Sequence, residues 1–167
     1  MIGTVNTARF RPVIVSALTV LLTGCGVDMV KPDQAVKLQP GQGIAAVVID
    51  TLDPLDSITI DSPDNSHAPS IVMESVQKGI SLFVYKVPTG KYCVVSIHYG
   101  VWRITQKDPG NGACFEVTEG KVSYSGNIGP RVYGTEVRTA QAFDWKSFQE
   151  MLTHWYPNLS GIPVALP

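Results

Sequence analysis

The chain has 167 residues, 13 Lys and Arg against 14 Asp and Glu, a formal net charge of -1 and three cysteines. That length suits one domain with its own core, and a near-neutral balance without a Lys/Arg cluster excludes the electrostatic footprint of a nucleic-acid binder. An odd cysteine count leaves one thiol without an intramolecular partner in an oxidising compartment.

Met1 to Pro12 carries Arg9 and Arg11 and no acid, and Val13 to Leu22 is an apolar run too short to span a bilayer comfortably. This is the pattern of a secretory signal peptide. Leu22-Thr23-Gly24-Cys25 follows it directly and resembles the bacterial lipobox, in which a small-residue pair precedes a cysteine that is acylated before cleavage on its N-terminal side. The resemblance implies a signal peptide over residues 1–24, lipidation of Cys25 and, because Gly26 rather than Asp follows, sorting to the outer membrane with the domain facing the periplasm. The alternative is an ordinary signal peptide with Cys25 as a free or paired thiol. The odd cysteine count speaks against it, since lipidation leaves Cys93 and Cys114 as an even pair. Several acyl chains on one residue make attachment stable where a single chain gives marginal binding. Processing would leave 143 of the 167 residues, without Arg9 and Arg11, so 11 basic residues face 14 acidic ones at a net charge of -3.

Residues 25–42, mixed in polarity with two prolines and no sustained period, read as a lipidated tether, and 43–167 as a single domain. Ile44 to Ile49 is continuously apolar, as a strand covered on both faces would be. Leu55 to Ile60 alternates, with Ile58 and Ile60 on one face and Ser57 and Thr59 on the other. Asp61 to Ser70 is dense in turn formers; its Asp61, Asp64 and Asn65 lack the alternate-position ligands, central Gly and distal Glu of a calcium loop, so no metal is expected there. Ile71 to Val76 and Ile80 to Val84 read as further strands.

A phrase is then written twice. Tyr85-Lys86-Val87-Pro88-Thr89-Gly90-Lys91-Tyr92 and Phe115-Glu116-Val117-Thr118-Glu119-Gly120-Lys121-Val122 align in aromatic, Val, Gly and Lys. Each reads as a hairpin, with Gly90 and Gly120 supplying positive φ at the turn. After the first turn, period two puts Cys93, Val95, Ile97 and Tyr99 on one face, the better core candidate, and Tyr92, Val94, Ser96 and His98 on the other. After the second, Val122, Tyr124 and Ile128 should share a face, while Cys114 falls out of phase with Phe115 and Val117. Asp108-Pro109-Gly110-Asn111-Gly112 reverses the chain between the two phrases. In an oxidising periplasm the economical expectation is a Cys93–Cys114 disulfide, worth ~3 kcal/mol for a loop of about 22 residues on the chain-entropy model.

Near the C-terminus, Phe143 and Phe148 flank Asp144 as a hydrophobic staple around an N-cap, and Trp145, Phe148, Leu152 and Trp155 recur at helical spacing until Pro157. The spacing predicts a helix over 144–156. Its stripe packs on the domain's own sheet or offers a partner-docking face.

Short strands, turns every eight to twelve residues and one helix point to a mainly β fold, an antiparallel β-sandwich with a short C-terminal α-helix. Pro88-Thr89-Gly90-Lys91-Tyr92 and Phe115-x-Val117-x-x-Gly120-Lys121-x-x-Tyr124 resemble phrases of small bacterial lipoproteins with transthyretin-like or carboxypeptidase-regulatory-like sandwiches. That resemblance implies a fold and no particular activity.

The function expected is therefore a non-catalytic envelope lipoprotein, tied to the membrane through Cys25, that binds or scaffolds an envelope protein, for example in a secretion or assembly complex. No cofactor is implied. A second class is a small-ligand-binding sandwich with Tyr92, Trp102 and Tyr133 lining a groove. The least favoured is a hydrolase built on Ser96 with His98, or on Asp50, Asp53 and Asp56, because neither set has an orienting group or oxyanion donor in recognisable spacing.

Overall fold

The computed structural model describes residues 27–105, 112–133 and 136–165. The expected signal peptide over 1–24, Cys25, and residues 106–111 between the two phrases lie outside the described residues.

The strands are β1 (Asp28–Met29), β2 (Gln42–Thr51), β3 (Leu55–Asp61), β4 (Ile71–Val76), β5 (Gly79–Pro88), β6 (Gly90–Tyr99), β7 (Trp102–Thr105), β8 (Cys114–Val117), β9 (Val122–Tyr133), β10 (Glu136–Ala142) and β11 (Val164–Ala165), with helix α1 at Trp145–Trp155. They form two sheets. The first runs β1-β5-β2-β9-β10, with β11 also on β9; the second runs β4-β3-β6-β7, with β8 also on β6. Pairing is antiparallel except for β2 with β9 and β11 with β9, which are parallel. This is the β-sandwich expected from the sequence, with α1, the α-helix among the described residues, lying outside it.

The continuous apolar run in β2 explains the layering. Ile44 to Ile49 are all fully buried. Ala45, Val47 and Ile49 point into the sandwich with Ile58, Ile60, Tyr92 and Val94 of the second sheet, while Ile44, Ala46 and Val48 lie under α1 with Phe148 and Leu152. A central strand with a layer on each side has no polar face, hence the absence of alternation. The helix starts as its sequence indicates. The carboxylate of Asp144 accepts hydrogen bonds from the backbone N–H and hydroxyl of Ser147 at 3.1 and 2.7 Å. Eleven residues are marginal as an isolated helix, so the stabilisation comes from packing: Phe148 stacks on Tyr124 with centroids 4.1 Å apart, and Phe143 and Trp145 meet the same ring edge-on.

The doubled phrase does not make hairpins. β5 belongs to the first sheet and β6 to the second; β8 belongs to the second and β9 to the first. Both glycine turns are corners at which the chain crosses between sheets, and both glycines take positive φ, +136° at Gly90 and +68° at Gly120. The corners lie at one end of the sandwich and grip the start of β2: Thr89 N–H donates to Gly41 O, Gly120 N–H to Gln42 O, and Gly41 N–H to Glu119 Oε1.

Two bulges overturn the expected facing of β6 and β9. Thr59 pairs with Ser96 but Ile60 with Val94, so Val95 is an extra residue in β6. Tyr92 and Val94 face the core before it and Ile97 after it, which turns Cys93 to the outer side. In β9 the shift falls between Tyr124 and Asn127, where Ser125 Oγ accepts from Val48 N–H and donates to Gly126 O. Val122 and Tyr124 therefore lie under the helix and Ile128 in the sandwich core.

The stretch expected as a tether is part of the fold from Val27 onward. β1 pairs with β5, Lys86 Nζ lies 2.8 Å from Asp28 Oδ2, and Val30 is buried with its N–H on Val84 O. Val36 and Leu38 pack on the helix-side core, and Asn158 Nδ2 donates to the carbonyls of Lys31 and Gln34.

Candidate functional site

The disulfide between Cys93 and Cys114 is formed, with Cα atoms 4.1 Å apart, and the two are register partners across β6 and β8. One position along, Tyr92 faces Phe115 on the core side and the rings stack at 6.1 Å. Cys93 is fully buried. The bridge thus locks the two strands of the doubled phrase to each other inside the second sheet.

The stripe on α1 divides. Phe148 and Leu152 are buried against the first sheet, so they cannot also present a docking face; Trp145 is half-buried in the Tyr124 cluster and Trp155 is exposed. The helix packs on its own domain.

Ser96 and His98 sit two apart on the outer side of β6. Ser96 is buried and its Oγ has no hydrogen-bond partner among the described residues, so the hydroxyl is not held by the imidazole. Ser96 lies between Thr59 and Thr105 in the ladder, and His98 between Ser57 and Arg103. An activated hydroxyl needs a base within hydrogen-bond reach and an orienter behind it, and these ladder partners provide neither.

The three acids separate in the same way. Asp50 Oδ2 lies 3.8 Å from Arg131 Nη2, while Arg131 Nη1 donates to the carbonyls of Asp50 and Pro130 at 2.7 and 3.0 Å. Asp53 closes a turn with Thr51, whose hydroxyl donates to Asp53 O. Asp56 is exposed. Thr51, Leu52, Asp53, Pro130, Arg131 and Tyr133 enclose a cavity of about 100 Å³, well below the ~300 Å³ at which small-molecule pockets begin. Among the described residues no group of three or more His, Cys, Asp or Glu is placed to hold a metal, and Asn65 Oδ1 in the Asp61 to Ser70 loop accepts from His67 N–H.

The aromatic groove does not assemble. Tyr92 is in the core with its hydroxyl on Pro88 O, whereas Trp102 and Tyr133 are exposed. The titration shifts of the tyrosines follow from the same burial. Desolvation pushes Tyr92 up to about 12, and Tyr85 to about 12 with a smaller contribution from Tyr156. These are core phenols, not groups tuned for proton transfer.

What the sequence reading missed is an apolar end. Opposite the corners, the loops after β2 and β6 and the neighbouring ends of β5 and β9 expose Leu52, Ile80, Val101, Trp102 and Tyr133, with Val101 at 93%. The ladders put Leu52, Ile80 and Tyr133 at this end of the first sheet, where Thr51 pairs with Gly79 and Ile49 with Ile128, and Val101 and Trp102 at the same end of the second, where Tyr99 pairs with Trp102. The available signal was an apolar residue inside a turn, Leu52 before Asp53-Pro54 and Val101 after Gly100, where a polar one is ordinary. No protein-family model, curated protein or solved structure matches the chain.

Proposed function

We propose that the protein is a non-catalytic envelope lipoprotein, anchored through Cys25 at the periplasmic face of the outer membrane, that binds or scaffolds an envelope protein, for example in a secretion or assembly complex. The observation that carries this reading is the apolar end formed by Leu52, Ile80, Val101, Trp102 and Tyr133. Single exposed apolar side chains are ordinary, but several gathered on one end of a disulfide-stapled sandwich mark a contact surface. The disulfide accords with an oxidising compartment.

The test uses the full chain in intact cells, with a photo-reactive residue at Val101 and, as a control, at Thr153 on the solvent side of α1. A discrete protein adduct is expected from position 101 alone, and it should disappear when Leu52 and Trp102 are changed to Ser. Adducts identical at both positions, or none at 101, would reject the reading. Palmitate labelling retained by Cys25→Ala would reject the anchor.

A further inference from the structure

We infer that the corner end of the sandwich, built by the turns at Gly41, Thr89-Gly90 and Glu119-Gly120, lies directly against the lipid headgroups, so that the apolar end is held pointing away from the membrane. The inference rests on lipidation of Cys25 and goes beyond it, because an anchored domain on a loose tether would have no fixed orientation.

The argument turns on where the chain enters the fold and on how little precedes it. β5 runs from Gly79 at the apolar end to Pro88 at the corners, and β1 is antiparallel to it, Asp28 opposite Lys86 and Met29 opposite Tyr85. Followed backwards from Asp28, the chain therefore leaves at the corner end. Val27, the first described residue, already packs on the sandwich core, and it is two residues from Cys25. Two residues reach at most ~7 Å. A free tether over residues 25–42 would instead have spread over ~23 Å, as a flexible chain of that length does, enough for the domain to roll.

The entry is also fastened. The Asp28–Lys86 ion pair, the Val30 N–H to Val84 O hydrogen bond, and the two hydrogen bonds from Asn158 Nδ2 to the carbonyls of Lys31 and Gln34 hold this segment at successive points. The surface brought to the lipid is formed by tight turns, whose backbone groups at Gly41, Thr89 and Gly120 are already hydrogen-bonded, with Lys91 and Lys121 beside them for headgroup phosphates. The ten residues of β2 then set the apolar end ~30 Å farther out at the usual rise of a strand.

The experiment uses the full lipidated chain in vesicles of phosphatidylethanolamine and phosphatidylglycerol that contain a headgroup-nitroxide lipid. A fluorescent probe is attached either to Thr89→Cys or to Val101→Cys, leaving the native disulfide oxidised. Strong loss of fluorescence at position 89 and little at 101 is the expected result. A flexible Gly/Ser segment inserted between Gly26 and Val27 should abolish that difference while palmitate incorporation persists. Equal quenching at both positions in the parent protein, or stronger quenching at 101, overturns the orientation even where palmitate labelling shows the anchor to be present. Failure of the parent chain to take up palmitate overturns the anchor itself and the orientation with it.

Discussion

Cys93 and Cys114 are bonded directly across β6 and β8, 21 positions apart in sequence and 4.1 Å apart at their Cα atoms. The two strands are thereby fixed in one register, beside the Tyr92–Phe115 stack.

Replacing both cysteines by Ala should lower the unfolding free energy by ~3 kcal/mol, the chain-entropy value for a loop of this length. Denaturant unfolding of the parent and the double variant measures it. Because Cys93 is buried, a thiol reagent added after mild reduction should react at the rate of local opening and not at the rate of a free thiol.

Gly43 sits where β2 passes beneath the second corner, and a Cβ there would overlap Thr118 O and approach Val117 Cγ1 to 2.8 Å. The obstructing atoms include backbone fixed by the Gly120 N–H to Gln42 O hydrogen bond. Gly43→Ala should therefore destabilise the protein by about 2 kcal/mol, in the range of overpacked cores. Gly161→Ala, with nothing within 4 Å of its Cβ, should stay within ~0.5 kcal/mol of the parent. Thermal melts of the two variants decide the matter.

The Asp144 carboxyl is held below its ordinary value of 3.8, first by the Ser147 hydroxyl and then by the Ser147 N–H. A carboxyl with a depressed folded-state pKa contributes stability that is complete above its unfolded pKa and lost as the pH falls through the folded one. Acidification below about pH 4 should therefore weaken the cap, and Asp144→Asn should remove that part of the acid response. Helix ellipticity and Trp145 fluorescence against pH provide the readout.

Burial has the opposite sign at the alkaline end. Tyr85 and Tyr92 are raised from 10.0 to about 12, so the unfolded chain releases their protons first. The stability they contribute is full below pH 10, declines as the pH rises, and is gone once the folded value is passed. The denaturation midpoint should fall between these limits, and less steeply in a Tyr85→Phe, Tyr92→Phe variant. That variant also starts about 1 kcal/mol lower, because the Tyr92 hydroxyl no longer bonds Pro88 O.

The parts of the fold legible in the sequence were those decided by local pattern. The apolar run of β2 signalled cover on both faces, the alternation of β3 placed Ile58 and Ile60 inward, and Asp144 with its flanking phenylalanines marked the helix start. The corners were misread because Pro88-Thr89-Gly90 specifies a turn but not which sheet receives the next strand; that depends on β2 and β9, far away in sequence. One extra residue in each of β6 and β9 reverses a period-two count; Gly126, at φ +73° inside the β9 shift, was a signal left unread, whereas Val95 in β6 gives none. β10 went unseen because it runs along an edge, where Arg138, Ala140 and Ala142 are exposed and no core face alternates. The apolar end was hidden for a related reason, since Leu52, Val101 and Tyr133 come from separate loops and strand ends that only the topology puts at one end of the two sheets.

The parallel pairing of β2 with β9 has a consequence for the order in which the chain can mature. Emerging N-terminus first, Ile44 to Ile49 finds β5 soon after, yet its other neighbour waits for Val122 to Ile128 and its outer cover for Phe148 and Leu152. For most of its synthesis, the most water-averse stretch of the domain has an open edge and an open face, the condition under which strands join the wrong chain. Ile44 to Ile49 therefore stays open to mispairing until the last turns of α1 have formed over it.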